Sequence, residues 1–320
     1  MLTKLLFFIL IPLSLLARYD YVNTLNKVYT QDEFRIYYTL QGENALPLKN
    51  QSDLNKNSIP DYIENIANQL SQASWLLTKD FHFTHPLQQE RFKHKAKFVD
   101  IHIIPIKVNG AASDVVDEKK GAIVMKLSVN LVSYTLTPLH EFFHLIQYGY
   151  SMFNNRWSME GQARWVEYSF RKGVGKNRVL PKTIQELEEL TATIYEADTF
   201  WNRLAFLSNK NKITFYPTKL YKYVNSNKSF IKDDTLYGID IIHSILEEYA
   251  NYDKIVANKY HYKSFEWTEK QQKSVNNNPY IFLAIKDALA KLNSKDNEIR
   301  DFIKLIDFYI STKGIKNEKF

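Results

Sequence analysis

Apolar residues follow two different spacings along the chain, and the change of spacing separates a strand-rich part from a helical part. Short runs rich in β-branched and aromatic residues predict strands within residues 33–47, 98–106 and 121–131, the first broken by a turn at Gly42. Apolar residues within 63–77 instead recur at helical spacing. The polar stretch between the second and third strands, rich in Asp and Gly, predicts a loop.

From Pro181 onward the apolar residues stand three and four apart, which is the spacing of amphipathic helices. A strand-rich part followed by a helical part predicts an α+β fold. We expect three segments: a signal at 1–17, a first part at 18–180 and a helical part at 181–320, the last two packed as one unit. The predicted helices of the last part lie within 183–207, 236–250, 279–292 and 298–311.

The first residues have the layout of a secretory signal. Lys4 precedes an apolar run from Leu5 to Leu16, and the small residue Ala17 follows it, which predicts cleavage after Ala17. The run is too short to cross a bilayer comfortably, since about 20 apolar residues are needed. We therefore expect export to the periplasm or the medium and no stable membrane insertion afterwards. The alternative is a buried N-terminal helix.

Composition limits the metal ligands and the binding partners that the chain can have. The chain has no Cys, which excludes disulfides and thiolate metal ligands, so a metal site must use His, Asp, Glu, Asn or backbone oxygen. The net charge is +7, but the basic residues are scattered, and their densest group lies at 171–178. No basic stripe interleaves with aromatic residues, so we expect no nucleic-acid partner. Weak attraction to anionic envelope polymers is compatible with this charge.

The clearest motif stands in residues 137–150, TPLHEFFHLIQYGY, where His140 and His144 flank Glu141. Thr137 predicts the N-cap of a helix and Gly149 its C-terminal cap. Residues four apart lie on one face of a helix, so both imidazoles can bind a single metal ion with the glutamate beside them. The alternative is a solvent-facing helical turn, or a core histidine whose hydrogen bonds are made with the backbone.

A third ligand is available sixteen residues after His144, at Glu160. Gly161 and Ala163 beside it leave room for a neighbouring helix to approach closely. Two histidines and one carboxylate, with a fourth position left for water, form the ligand set of catalytic zinc sites. Glu167 is the competing candidate. We expect it instead to hydrogen-bond a ligating imidazole or to be solvated.

These residues resemble the Glu-zincin class of metallopeptidases. The pattern W-x-x-E-G-x-A-x-W at 157–165 follows H-E-x-x-H, and H-E-F-F-H-x-x-Q at 140–147 is similar to a family of exported bacterial metalloproteases. The resemblance runs from Phe34 to about Ser311, although the last third matches only in general pattern. It implies a zincin-like fold, one zinc ion bound by His140, His144 and Glu160, and Glu141 as the base that activates a zinc-bound water.

A second metal motif lies at residues 53–64, DLNKNSIPDYIE, which fits the twelve-residue calcium loop. The predicted ligands are Asp53, Asn55, Asn57, the carbonyl of Ile59, Asp61 and Glu64. Two positions depart from the pattern: Ser58 replaces the usual glycine, and Pro60 cannot pair with a partner loop. We expect one structural calcium ion tying the first strand to the first helix. The alternative is a polar turn in which Asp61 caps that helix.

The leading functional hypothesis is an exported zinc-dependent endopeptidase acting on a polypeptide substrate. Residues 121–129 are expected to offer an edge strand to the substrate backbone, and Tyr237 or His243 to stabilise its carbonyl oxygen. The alternative is a non-catalytic envelope or binding protein that has kept the fold. The natural substrate, autoprocessing, oligomeric state and the choice between periplasm and medium stay open.

Overall fold

The structure, a computed structural model, describes residues 23–132, 136–171, 175–208, 217–232 and 236–315. The predicted signal at 1–17 lies outside the described residues. Among the helices of the described part, none combines the length and the apolar character that a membrane crossing requires.

The first part of the chain forms a mixed sheet of five strands. The strands are β1 (Lys27–Gln31), β2 (Phe34–Tyr38), β3 (Phe98–Ile104), β4 (Gly110–Asp117) and β5 (Ala122–Ser128). Their order across the sheet is β1-β2-β3-β5-β4. β3 runs parallel to both β2 and β5, whereas β1 and β4 are antiparallel to their neighbours.

The position of β4 shows that two expectations from the sequence are wrong. It forms within the segment predicted as a loop, because small and polar residues such as those from Gly110 to Asp114 give no alternating apolar signal at a sheet edge. β5 pairs with β3 on one side and with β4 on the other, so residues 121–129 do not form an edge. The exposed edge at this end of the sheet is β4.

Helices make up most of the described chain after β5, as the spacing predicted, and one further helix lies between β2 and β3. They are α1 (Asp61–Trp75), α2 (Thr137–Tyr150), α3 (Arg156–Val166), α4 (Ile184–Ala192), α5 (Asp198–Ser208), α6 (Ile239–Tyr260), the single turn α7 (Glu269–Gln272), α8 (Asn278–Lys291) and α9 (Asn297–Thr312). The continuous helical pattern at 183–207 divides into α4 and α5, with a 3₁₀ turn at Tyr195–Ala197 between them. The α+β prediction is therefore confirmed.

Buried aromatic side chains join the sheet to the helices. Phe34 of β2 packs edge-on against Phe142 of α2, with ring centroids 5.6 Å apart. In the helical part, the Trp157 ring on α3 stacks on Trp201 of α5 and on Phe282 of α8, with centroid distances of 5.8 and 5.1 Å. These contacts belong to one cluster of buried side chains that includes both parts of the chain. The helices α2 and α3 are thereby packed at its centre.

Candidate metal centre

The observed caps of the motif helix α2 lie one residue before the predicted N-cap and two residues after the predicted C-cap. Leu136 occupies the N-cap position and Thr137 is the first helical residue, while Gly149 lies inside the last turn. A side chain at Gly149 would place its Cβ 2.0 Å from Oε1 of Gln89. Gln89 donates a hydrogen bond to the carbonyl of Ile146 at 3.1 Å. The glycine therefore allows close packing against the helix and does not terminate it.

The helices α2 and α3 bring three metal-ligand side chains together, namely His140, His144 and Glu160. The Nε2 atoms of His140 and His144 lie 3.1 Å apart. Oε2 of Glu160 lies 3.1 Å from Nε2 of His140 and 3.5 Å from Nε2 of His144. Both imidazoles are buried. This group could hold a metal ion.

These spacings match those of a tetrahedral metal site. A zinc–nitrogen bond is 2.0–2.1 Å, so two ligand atoms at the corners of a tetrahedron stand about 3.3 Å apart. The three distances between the donor atoms, 3.1, 3.1 and 3.5 Å, lie close to that separation. The donor atoms thus define one triangular face of a tetrahedron, which leaves the fourth corner for another ligand.

Hydrogen bonds at the second nitrogen of each imidazole orient both rings. Nδ1 of His140 lies 2.9 Å from Oε1 of Glu167, and Nδ1 of His144 lies 2.7 Å from Oε1 of Gln147. The amide nitrogen of Gln147 donates to the carbonyl of Met159, so its oxygen must accept from His144. When Nδ1 donates in each ring, the neutral form of the imidazole directs the lone pair of Nε2 into the cluster.

The Glu167 side chain belongs to the outer layer of the site. It follows α3 in a short 3₁₀ turn, Glu167–Ser169. One carboxylate oxygen contacts Nδ1 of His140, and the other accepts a hydrogen bond from Arg171 at 2.6 Å. Glu160 instead approaches the Nε2 atoms that face the cluster. Of the two carboxylates weighed from the sequence, Glu160 is the one placed among the ligand atoms.

Electrostatics within the cluster favour an ionised Glu160 beside a protonated imidazole. Burial acts to lower the pKa of His140, but hydrogen bonds with Glu160 and Glu167 outweigh it and raise that pKa to about 9. Burial acts to raise the pKa of Glu160, but the two histidines hold it well below the usual range. A metal ion at this site would therefore compete with a proton for His140.

The side chain of Glu141 lies between the motif helix and the edge strand β4. Only 7% of it is exposed. Burial raises the pKa of its carboxyl group, while His144, His140 and a hydrogen bond from the backbone of Ala112 act in the opposite direction. At Gly110 a Cβ atom would stand 2.9 Å from Oε1 of Glu141. The strand residues Gly110 and Ala112 thus confine the carboxylate beside the two imidazoles.

Gly161 determines what packs beside Glu160. A Cβ atom at this position would stand 2.4 Å from Cδ1 of Trp201 and 3.0 Å from Cβ of Ala197. Without that atom, the turn Tyr195–Ala197 lies directly on α3. The close approach of a neighbouring helix predicted for Gly161 is present: the helix is α5, and the turn Tyr195–Ala197 precedes it.

Tyr195 lies beside the cluster, a placement that the sequence analysis did not predict. Its ring centroid lies 6.5 Å from that of His140, and 42% of the residue is exposed. Burial raises the pKa of its phenol, and Glu160 acts in the same direction, so the hydroxyl stays protonated at neutral pH. The local sequence around Tyr195 carries no signal for this placement, which depends on contact with α3.

The two donors proposed from the sequence occupy packing positions. The ring of Tyr237 packs against Phe206, and its backbone carbonyl accepts a hydrogen bond from Trp165. The ring of His243 packs edge-on against Phe83 and Tyr150. Both side chains are half-buried, and their rings pack against aromatic residues.

The loop at 53–64 brings most of its predicted ligands together. Asp53 accepts backbone hydrogen bonds from Asn57 at 3.1 Å and from Ser58 at 2.8 Å. The side-chain amides of Asn55 and Asn57 donate to the carboxylate of Glu64. Ser58 has a φ of 73°, in the left-handed region where glycine is usual. The backbone at Ser58 thus has the conformation that usually requires glycine at this position.

The remaining loop residues lie around this cluster. The N–H of Ile59 donates to the side chain of Asn57 at 2.9 Å. Asp61 accepts hydrogen bonds from the backbone of Leu54 and the amide of Asn225. Asp61 is the first residue of α1 and Pro60 is its N-cap, without a side-chain capping bond. Asp61 therefore does not cap the helix, and a calcium ion in this loop stays a prediction.

Comparisons of the chain with models of protein families, with curated proteins and with solved structures found no match. The resemblance to Glu-zincins therefore depends on the motifs themselves.

Proposed function

We propose that the protein is an exported zinc-dependent endopeptidase with a zincin-like fold. The observation that supports this best is the triangle of donor atoms from His140, His144 and Glu160, whose edges suit tetrahedral zinc. Two imidazole nitrogens and one carboxylate oxygen are ligands that zinc accepts readily. The buried carboxylate of Glu141 beside that triangle adds a group that a purely structural metal site does not need.

Glu141 is proposed as the general base. A bound zinc ion would supply Lewis acidity, polarising the scissile carbonyl and lowering the pKa of a nearby water. Glu141 would take a proton from the attacking water and return it to the amine that leaves. Burial raises the pKa of this carboxyl group, which favours holding the proton between the two transfers. The hydrogen bond from Ala112 keeps the carboxylate oriented.

Tyr195 is proposed as the donor to the carbonyl oxygen of the scissile bond. Its protonated hydroxyl, partial exposure and position beside His140 suit a group that meets substrate from the solvent side. We prefer it to Tyr237 and His243, because the rings of those two residues are engaged in aromatic packing.

The substrate is proposed to bind as an additional strand along β4. This edge strand packs against α2, and its residues Gly110 and Ala112 adjoin Glu141. Backbone pairing with an edge strand recognises any extended peptide, which suits an endopeptidase. Val115, further along β4, is 66% exposed and can contact a substrate side chain.

The proposal is tested by replacing the base without disturbing the ligands. Glu141→Gln keeps the size of the side chain but cannot accept the proton, so hydrolysis of an unfolded protein substrate should fall at least about a hundredfold. Zinc content should stay near one per chain. A chelator should abolish hydrolysis by the parent protein, and added zinc should restore it.

The same measurements separate the peptidase from a non-catalytic protein with this fold. If the zinc-loaded parent hydrolyses no peptide bond, or if Glu141→Gln is as active as the parent, the proposed catalytic role is wrong. If the parent retains neither zinc nor any other divalent metal tested in turn, the metal site itself is refuted. Metal analysis and hydrolysis are therefore measured on the same preparations.

A further inference from the structure

Arg91 is a buried cation that links two elements of the candidate site. Its side chain is 5% exposed. Nη1 donates to the backbone carbonyl of Tyr148 at 2.9 Å, and Nη2 donates to Oδ2 of Asp114 at 2.6 Å. Burial lowers the pKa of Arg91, while Asp114 acts to raise it. A guanidinium stays charged in proteins, so this is a buried ionic hydrogen bond.

One of its two partners belongs to the motif helix. Tyr148 lies in the last turn of α2, four residues after His144, and its ring stacks beside the imidazole of His144 at a centroid distance of 6.1 Å. The carbonyl that Arg91 contacts is therefore one helical turn from a proposed zinc ligand. Carbonyl groups in the last turn of a helix lack partners within the helix, and Arg91 satisfies this one.

The other partner lies where the edge strand leaves its regular pairing. β4 pairs with β5 at Ala112 opposite Met125 and again at Val116 opposite Ile123, so the residues between form a bulge. Asp114 stands in this bulge. It also accepts a hydrogen bond from Gln272 at 2.9 Å. Because the bulge interrupts the ladder with β5, side-chain contacts hold this part of the strand.

We propose that Arg91 is a positioning residue that fixes the bulge of β4 relative to α2 and thereby sets how firmly substrate is held. Ala112, which contacts Glu141, is paired with Met125 and lies before the bulge, so a displaced bulge would shift the strand beyond the base and leave the hydrogen bond to Glu141 in place. The inference builds on the proposed peptidase function, because the extended substrate is assigned to this strand. Loss of the contact should weaken substrate binding more than the chemical step.

The test compares Asp114→Asn and Arg91→Lys with the parent protein. Asp114→Asn removes the charge but keeps a hydrogen-bonding side chain, and Arg91→Lys keeps the charge but offers a single nitrogen for two partners. For a long unfolded peptide substrate, KM should rise on the order of tenfold in both variants, because strand position sets binding. The kcat value and the zinc content should stay close to those of the parent.

A matched control comes from another ion pair in the described helical part. Arg203 and Glu298 are joined at 2.5 Å between α5 and α9 and are partly buried as well. Glu298→Gln should lower the unfolding temperature but leave KM unchanged. If Glu298→Gln raises KM as much as Asp114→Asn, or if Asp114→Asn leaves KM unchanged, Arg91 has only a structural role. Parallel loss of zinc and kcat in Asp114→Asn would also overturn the proposal.

Hydrogen exchange provides a second measurement that does not need catalysis. In Asp114→Asn the amides of residues 110–117 should exchange faster, while those of residues 137–150 keep the protection of the parent. Unchanged exchange at 110–117 would show that the pair does not hold the strand. If the parent hydrolyses no peptide, the proposed peptidase function is wrong. Hydrogen exchange then still shows whether Arg91 positions β4.

Discussion

Asp253 is a buried carboxyl group whose titration should affect stability near neutral pH. It lies on α6 and is 6% exposed, and Oδ2 accepts the backbone N–H of Met152 at 3.0 Å. Burial raises the pKa of Asp253 from 3.8 to about 7, although Met152, Lys254 and Arg91 act to lower it. Asp253→Asn keeps the shape and an acceptor oxygen but cannot ionise. We predict that this substitution stabilises the protein at alkaline pH.

The sign follows from the protons bound in each state. Between pH 4 and pH 7 the folded protein holds a proton on Asp253 that the unfolded chain has released, so the free energy of unfolding falls as pH rises. The loss is complete above the folded pKa of about 7. The full difference between the two pKa values corresponds to about 4 kcal/mol. Of this, about 2–3 kcal/mol should develop between pH 5 and pH 8.

Urea unfolding of the zinc-loaded parent and Asp253→Asn, measured from pH 5 to pH 8, tests this magnitude. The advantage of the variant should widen by about 2–3 kcal/mol across that range. In thermal unfolding, the difference in unfolding temperature between the variant and the parent should widen by roughly 4 °C for a chain of 320 residues. Asp301→Asn makes the same chemical change on an exposed side chain and should show no widening. A constant difference between parent and Asp253→Asn would refute the reasoning.

Three further predictions concern the metal sites and the proposed donor. Glu160→Gln weakens a ligand, so zinc content and hydrolysis should fall together. Glu167→Gln should keep most of the zinc and lose less activity. If metal analysis shows that Glu167→Gln loses zinc and Glu160→Gln keeps it, Glu167 is the third ligand. Tyr195→Phe should lower kcat by about 10²-fold with zinc content unchanged, since it removes one donor to the carbonyl oxygen; an unchanged kcat would exclude Tyr195. Calcium should raise the unfolding temperature of the parent but not of Asp53→Ala/Glu64→Ala; an equal response in both proteins would place calcium elsewhere.

Features that depend on neighbouring residues could be predicted from the sequence. The placement of His140 and His144 on one face follows from helical geometry alone. The alternation of Phe34, Ile36 and Tyr38 likewise predicts the buried face of β2. The longer helices α6, α8 and α9 of the second part could be predicted for the same reason, since each buries an apolar stripe.

Features that depend on distant contacts could not be predicted in this way. β4 is a strand because β5 offers it an edge to pair with, although most of its own residues are small or polar. The role of Arg91 requires Tyr148 and Asp114, which lie far from it in sequence. In the sequence, Arg91 stands among scattered basic residues and nothing distinguishes it. Its burial and its two partners become apparent only in the folded chain.

Gly161 lies between these two cases, because a local feature predicted a contact without identifying the partner. The absence of a side chain indicated that something approaches α3 beside Glu160, and the sequence could not identify the turn Tyr195–Ala197. That turn carries the tyrosine placed next to His140. A larger residue at 161 would push against Trp201 and Ala197, and the resulting shift would act on Glu160 and Tyr195 together. The glycine beside the third proposed ligand therefore couples the metal triangle to the proposed carbonyl donor.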